Sequence, residues 1–313
     1  MLAKIDMEMA RDMSWRHFGK KITFYLPGMF SYNNMTGKYP ALSITGDACK
    51  LQCDHCRGKI LSSMINADDP KKLMVQCQEF ERKGMVGVLI SGGSNMHGQL
   101  PWERFLTTIR QIKETTRLLI SVHSGFISFS QARALKKAGV DQALIDVIGD
   151  KETFESVYHL RFGPDEMKAS MGALMDAGLE VIPHIVCGLF HGRIQGEYTA
   201  VDLIAGFDIE KLVIVSLMAI RGTPMFCSSL PKTRDIIDII TYARMSLPET
   251  KISLGCARQR GNRELEILAV QSGINSMALP SDEAIEQAKK LGLEIRYQKT
   301  CCSVSSDTST PDW

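Results

Sequence analysis

From residue 41 to about residue 280 the chain alternates short strand-like apolar runs with amphipathic helical runs. That order restricts it to parallel strands joined by right-handed helical crossovers. The strand-like runs are 41–46, 85–91, 117–123, 140–148, 180–187 and 211–220, with weaker candidates at 252–256, 276–279 and 294–297. Helical runs lie at 70–84, 101–115, 129–138, 164–177 and 198–205. In the second of these, Trp102, Phe105, Ile109 and Ile112 recur at helical spacing. Six or more such units predict an α/β fold, a partial or full (β/α) TIM-type barrel. Gly92-Gly93 does not fit G-x-G-x-x-G, which argues against a dinucleotide-binding sheet. The expected organisation is an N-terminal extension over 1–40 packed against the barrel, a core over 41–280 and a C-terminal segment over 281–303. Residues 304–313, rich in Ser, Thr, Asp and Pro, are expected to form a disordered tail.

Hydrophobic residues make up 44% of the 313 and charged residues 23%, with a net charge of +2. Neither nucleic acid nor a membrane surface is implied by that balance. No apolar run reaches the length of a membrane span. The first ten residues carry acids early and lack an apolar stretch, so a cytoplasmic protein is expected. Nine cysteines in such a chain argue against a disulfide framework and leave room for metal centres.

Three of those cysteines fall within eight residues, Cys49-Lys-Leu-Gln-Cys53-Asp-His-Cys56. C-x3-C-x2-C supplies three thiolates, one short of the four that close a [4Fe–4S] cluster, so one iron keeps an open position. A zinc knuckle completed by His55 or a distant cysteine is the competing reading. It lacks the matching second pair that such motifs carry downstream, and Cys77 stands alone in a helical pattern. In a barrel, functional side chains gather at the C-terminal ends of strands. The cysteine loop, Ser91–Ser94, His123, Asp146, His184 and Cys187 all fall at such ends. Each histidine has an equally good reading as a buried structural residue, and Asp146 as a solvated acid.

Cys49, Cys53 and Cys56 after a first strand resemble the radical S-adenosylmethionine superfamily. The resemblance implies a cluster whose unique iron is chelated by the amine and carboxylate of S-adenosylmethionine, and a 5′-deoxyadenosyl radical that abstracts a substrate hydrogen. It implies further that His55 stands where an aromatic residue usually contacts adenine, and that Ser91, Gly92, Gly93 and Ser94 approach the methionine amine. Ser94 replaces the acid usual at that place. Asp146 would accept ribose hydroxyls, Arg161 would face the cofactor carboxylate, and 184–189 would lie beside the adenine. In the C-terminal half, Gly255-Cys256-Ala257-Arg258 and Cys301-Cys302 are similar to biotin synthases and, most of all, to two-component lipoyl synthases. Cys256, Cys301 and Cys302, with Cys187 as candidate fourth ligand, would then hold a second [4Fe–4S] cluster that donates sulfur. The implied partners are an octanoylated carrier protein, a sister radical protein and an electron donor. The alternatives are other radical chemistry on a small molecule and a metal-stabilised scaffold without activity.

Overall fold

The computed structural model describes residues 6–32 and 34–311. Its framework is one eleven-stranded sheet, parallel at every pairing, in the order β13-β1-β12-β11-β10-β9-β8-β7-β6-β4-β5. The strands are β1 Lys21–Tyr25, β4 Ala41–Ser43, β5 Ile65–Asn66, β6 Gly87–Ser91, β7 Leu119–His123 and β8 Gln142–Asp146. They continue with β9 Glu180–Cys187, β10 Lys211–Ser216, β11 Lys251–Leu254, β12 Ser276–Ala278 and β13 Glu294–Gln298. A small antiparallel ribbon, β2 Ser31–Tyr32 with β3 Met35–Thr36, follows β1. The sheet curls into an open barrel of the TIM type.

Crossover helices cover the outer face: α1 Met7–Phe18, α2 Pro70–Arg82, α3 Leu106–Thr115, α4 Phe129–Lys137, the short α5 Lys151–Thr153 and α6 Pro164–Asp176. The rest are α7 Glu197–Ile204, α8 Thr233–Ser246, α9 Arg263–Gln271 and α10 Asp282–Lys290. Their starts are encoded locally. Asp69 accepts from the Lys71 amide ahead of Pro70, and Ser128 closes a capping box with Gln131. Each such cap is worth about 1 kcal/mol.

Because side chains alternate along a strand, the sheet sorts residues into two cores. Ile22, Leu42, Ile90, Ile120, Ile185 and Ile214 pack outward against the helices. Tyr25, Leu144, Ile182, Val213, Val215, Ala278 and Cys302 pack together inside the lumen.

Two expected boundaries shift. Residue 41 does not begin the barrel, because β1 lies between β12 and β13 and is integral to the sheet. The expected disordered tail is packed over its described part, residues 304–311. Val304 is fully buried, and Tyr297 and Thr310 form an antiparallel bridge. Gln142, at the N-terminal end of β8, donates to the Ser305 hydroxyl at 2.7 Å, so the chain crosses the lumen from one end to the other. Residues 312–313 lie outside the described residues. No helix among the described residues is long and apolar enough to cross a membrane.

Candidate active site

The cysteine loop leaves β4 and is held by main-chain bonds. Asp54 donates its amide to the Val157 carbonyl at 2.9 Å, Lys50 donates to Ser94 at 2.8 Å, and Arg57 donates to Cys53 at 2.8 Å. Gln52 and Arg57 both take positive φ, 51° and 45°. Non-glycine residues pay for that conformation, and such strain clusters where a loop must wrap a fixed shape. The loop also anchors to the π turn Phe154–Tyr158, because His159 just beyond it pairs with Asp54 at 3.0 Å.

The glycine pair at the end of β6 touches this loop directly. The Gly93 amide donates to the Thr45 hydroxyl at 2.6 Å. A Cβ on Gly93 would stand 2.6 Å from Cys49 Cα and overlap the Ala48 carbonyl oxygen. Only glycine allows that approach. Gly93→Ala is expected to displace the loop at a cost on the order of 1–3 kcal/mol. Iron content after anaerobic reconstitution should fall by more than half, and the thermal midpoint should drop. A Gly93→Ala chain that retained full iron would contradict this reading of the contact.

The thiols are not equivalent. Cys53 and Cys56 share a hydrogen bond that pushes Cys53 up and draws Cys56 down to about 4, with His55 adding to the second effect. Burial opposes a charge on His55, but the Cys56 bond and the neighbouring charges of Cys56, Asp146 and Asp54 outweigh it and raise its pKa. His55 packs against Tyr158 with ring centroids 5.3 Å apart, and its Nδ1 is buried without a hydrogen-bond partner.

Beside the loop lies a cavity of about 110 Å³ lined by Leu51, Gly92, Ser94, His123, Asp146 and Tyr158, among others. His123 Nε2 is 3.7 Å from Asp146 Oδ1, and the His123 and His184 rings are 6.0 Å apart, edge to face. Burial pushes His184 down to about 4, so the ring is neutral near pH 7. Its Nδ1 lies 3.0 Å from the Ile182 carbonyl. A neutral ring donating there leaves Nε2 as an acceptor. His123 and Asp146 are therefore brought to the cavity, with His184 beside them. Arg161 is not: it is exposed on the segment before α6.

The late cysteines form a second group. The thiols of Cys256 and Cys301 each hydrogen-bond with Cys302, which lowers the pKa of both and raises that of Cys302. The Ser303 hydroxyl donates to Cys301 Sγ at 3.0 Å. Gly255 must be glycine, since a Cβ would stand 2.5 Å from a Val215 methyl. Arg258 ties this loop down through Glu266 at 2.7 Å and the Gly255 and Leu279 carbonyls. Cys187 is not part of the group. Alternation along β9 sends Ile182 and Val186 into the lumen and Cys187 into the outer core. Burial and the charges of Glu197 and Asp235 there hold its thiol well above its ordinary pKa. Cys77 is buried in α2 and pushed up to about 12 by burial, as ordinary packing requires, while Cys227 is exposed.

The family described as the Biotin and Thiamin Synthesis associated domain matches residues 214–303, a span that contains Cys256, Cys301 and Cys302. The biotin synthase of Polaromonas naphthalenivorans is 22% identical over 285 residues, covering 84% of this chain and 80% of that protein. That of Buchnera aphidicola is 23% identical over 290 residues, covering 86% and 82%. Matches to biotin synthases of two Synechococcus strains are shorter and span 54% of those proteins. Among solved structures, methylornithine synthase superposes with a TM-score of 0.59 at 17% identity, over 88% of this chain and 77% of that one. The curated relatives, the C-terminal family match and the shared fold all liken the chain to the radical S-adenosylmethionine superfamily. The FeFe-hydrogenase maturase of Carboxydothermus hydrogenoformans shares the fold at a TM-score of 0.63, with 14% identity over 92% of this chain and 71% of that one.

The superfamily's cofactors, a [4Fe–4S] cluster and S-adenosylmethionine, fit what the cysteine loop offers. It presents three thiols, one already drawn toward thiolate, beside a glycine-lined approach and a cavity with polar and aromatic walls. Among the described residues no three His, Cys, Asp or Glu side chains converge as ligands of one metal ion. Thr45, which holds Gly93; Leu51 and Tyr158, which line the cavity; and Lys211, whose ammonium donates to the Cys302 carbonyl at 3.4 Å, were missed by sequence reasoning. Only Lys211, opening the otherwise apolar run Leu212–Val215, carried a visible signal.

Proposed function

We propose that this radical S-adenosylmethionine enzyme inserts sulfur at an unactivated C–H of an aliphatic substrate. The observation that carries the reading is the pair of cysteine groups at one end of one barrel. Cys49, Cys53 and Cys56 follow β4 near one edge of the sheet, whereas Cys301 and Cys302 follow β13 at the other, joined by Cys256 after β11. When bound, the first cluster and S-adenosylmethionine supply a radical that removes a substrate hydrogen, and a second cluster supplies sulfur.

The chain's own residues would divide the work. Cys49, Cys53 and Cys56 bind iron. The carbonyls of Gly92 and Gly93 accept from the methionine ammonium, Asp146 accepts from ribose hydroxyls, and Tyr158 and Leu51 exclude water from the cavity. Leu89, Val186 and Ala257, half-buried around the lumen core, offer an apolar surface to an aliphatic chain. The packed tail crosses to the N-terminal end of the strands, which directs substrate to the C-terminal rim. Exposed Met29, Phe30, Met96 and Phe226 lie on loops of that rim.

The narrower reading, an octanoyl chain on a carrier-protein lysine as in two-component lipoyl synthases, is supported by this apolar rim and lumen. A biotin synthase-like small-molecule acceptor is the alternative. Incubating reconstituted enzyme with reductant, S-adenosylmethionine and an octanoyl-lysyl peptide should give a mass gain of one sulfur. Sulfur added only to a free small-molecule acceptor would remove the carrier reading, and no sulfur on either would remove sulfur insertion.

A further inference from the structure

Lys211 opens β10 and pairs in register with Lys251 at the N-terminal end of the barrel. Alternation from it places Val213 and Val215 in the lumen core, so Lys211 points inward too, and it is 2% exposed. A buried ammonium is normally paired with a carboxylate. Among the described residues none lies within ion-pair distance of Lys211. Its Nζ donates instead to the Val304 carbonyl at 2.6 Å, the Cys302 carbonyl at 3.4 Å and the Tyr25 hydroxyl at 3.2 Å. Tyr25 in turn donates to the Val304 carbonyl at 3.2 Å, and its ring lies under Nζ at 4.9 Å. All of these but the Tyr25 contacts fall on the main chain of the segment that carries Cys301 and Cys302.

We infer that Lys211 is the positioning residue of the second cysteine group, fixing the 301–304 segment across the lumen and adding positive charge on the side of Cys301 and Cys302. This rests on the reading that Cys256, Cys301 and Cys302 hold a cluster. Arg258 and Arg260 serve Cys256. Burial lowers the pKa of Lys211 to about 8, the thiols of Cys302 and Cys301 and the Glu210 carboxylate favour its charge, and Lys251 opposes it, so the ammonium form still prevails near pH 7. Three thiolates on iron leave net negative charge in a low-dielectric lumen, and a fixed ammonium beside them offsets it. Sequence adjacency could not show this, because the two partners are 93 residues apart.

The test is iron and sulfide counting with electron paramagnetic resonance on anaerobically reconstituted Lys211→Met and Lys211→Arg chains. Wild type should bind about eight irons, two [4Fe–4S] complements. Lys211→Met should fall to about four while the signal that responds to S-adenosylmethionine stays, and Lys211→Arg should recover most of the loss. A merely structural lysine would lower thermal stability without removing one cluster selectively, and Lys211→Met holding about eight irons would overturn the inference. Wild type binding only about four would instead defeat the second-cluster reading itself. Should Lys211→Met fail to fold, Lys211→Gln, which can hydrogen-bond the same carbonyls without charge, gives the same readout.

Discussion

Cys56→Ala is expected to bring 5′-deoxyadenosine formation down to background. Cys56 is the thiol that hydrogen bonds from Cys53 and His55 draw furthest toward thiolate, the form that binds iron. With it gone, two thiolates remain for a cluster that needs three, and the buried His55 loses the partner that stabilises its charge. The fold should survive. The loop is held by the Asp54, Lys50 and Arg57 amides, none of which involves the Cys56 side chain. The expected result is an intact circular dichroism spectrum, loss of about four irons and no 5′-deoxyadenosine by chromatography. Retention of cofactor cleavage at even a tenth of the wild-type rate would remove Cys56 from the radical-generating site.

Cys302→Ala should separate the two chemistries. 5′-deoxyadenosine is expected to stay within about threefold of wild type, because nothing in the first site touches Cys302, while sulfur-bearing product disappears. Cys302 sits at the centre of its group, hydrogen-bonding both Cys256 and Cys301. Removing one small buried side chain costs about 1–2 kcal/mol, too little to unfold a domain of this size. Loss of 5′-deoxyadenosine in parallel with product would show that the two groups are one functional unit.

The sequence made the parallel fold legible because alternation of strand and helix reflects packing that is mostly local. Predicted strands at 85–91, 117–123 and 180–187 match β6, β7 and β9 closely. β1 was hidden because a strand of five residues from an apparent extension gains its place only by pairing with β12 and β13, over 250 residues away. The tail was misread for a related reason. Serines and threonines suggest solvent, yet the Ser305 hydroxyl accepts from Gln142 and the Ser306 and Val304 carbonyls accept from Gln298 and Lys211, and composition does not record distant partners. The cysteine triplet was readable as a cluster of thiols because its members are neighbours in sequence. Cys256 with Cys301 and Cys302 was partly readable, and Cys187 was assigned wrongly because being near a strand end does not decide which face a side chain takes. Counting back from Val186 along β9 would have placed it outward.

The central claim is that one cysteine group makes the radical while the other gives up the sulfur. Reconstituting the enzyme with heavy-isotope sulfide, removing the excess and allowing a single turnover in unlabelled buffer tests it directly. The account predicts product carrying the heavy isotope, formed by wild type and not by Cys302→Ala. Product carrying only unlabelled sulfur, supplied from solution, would contradict it.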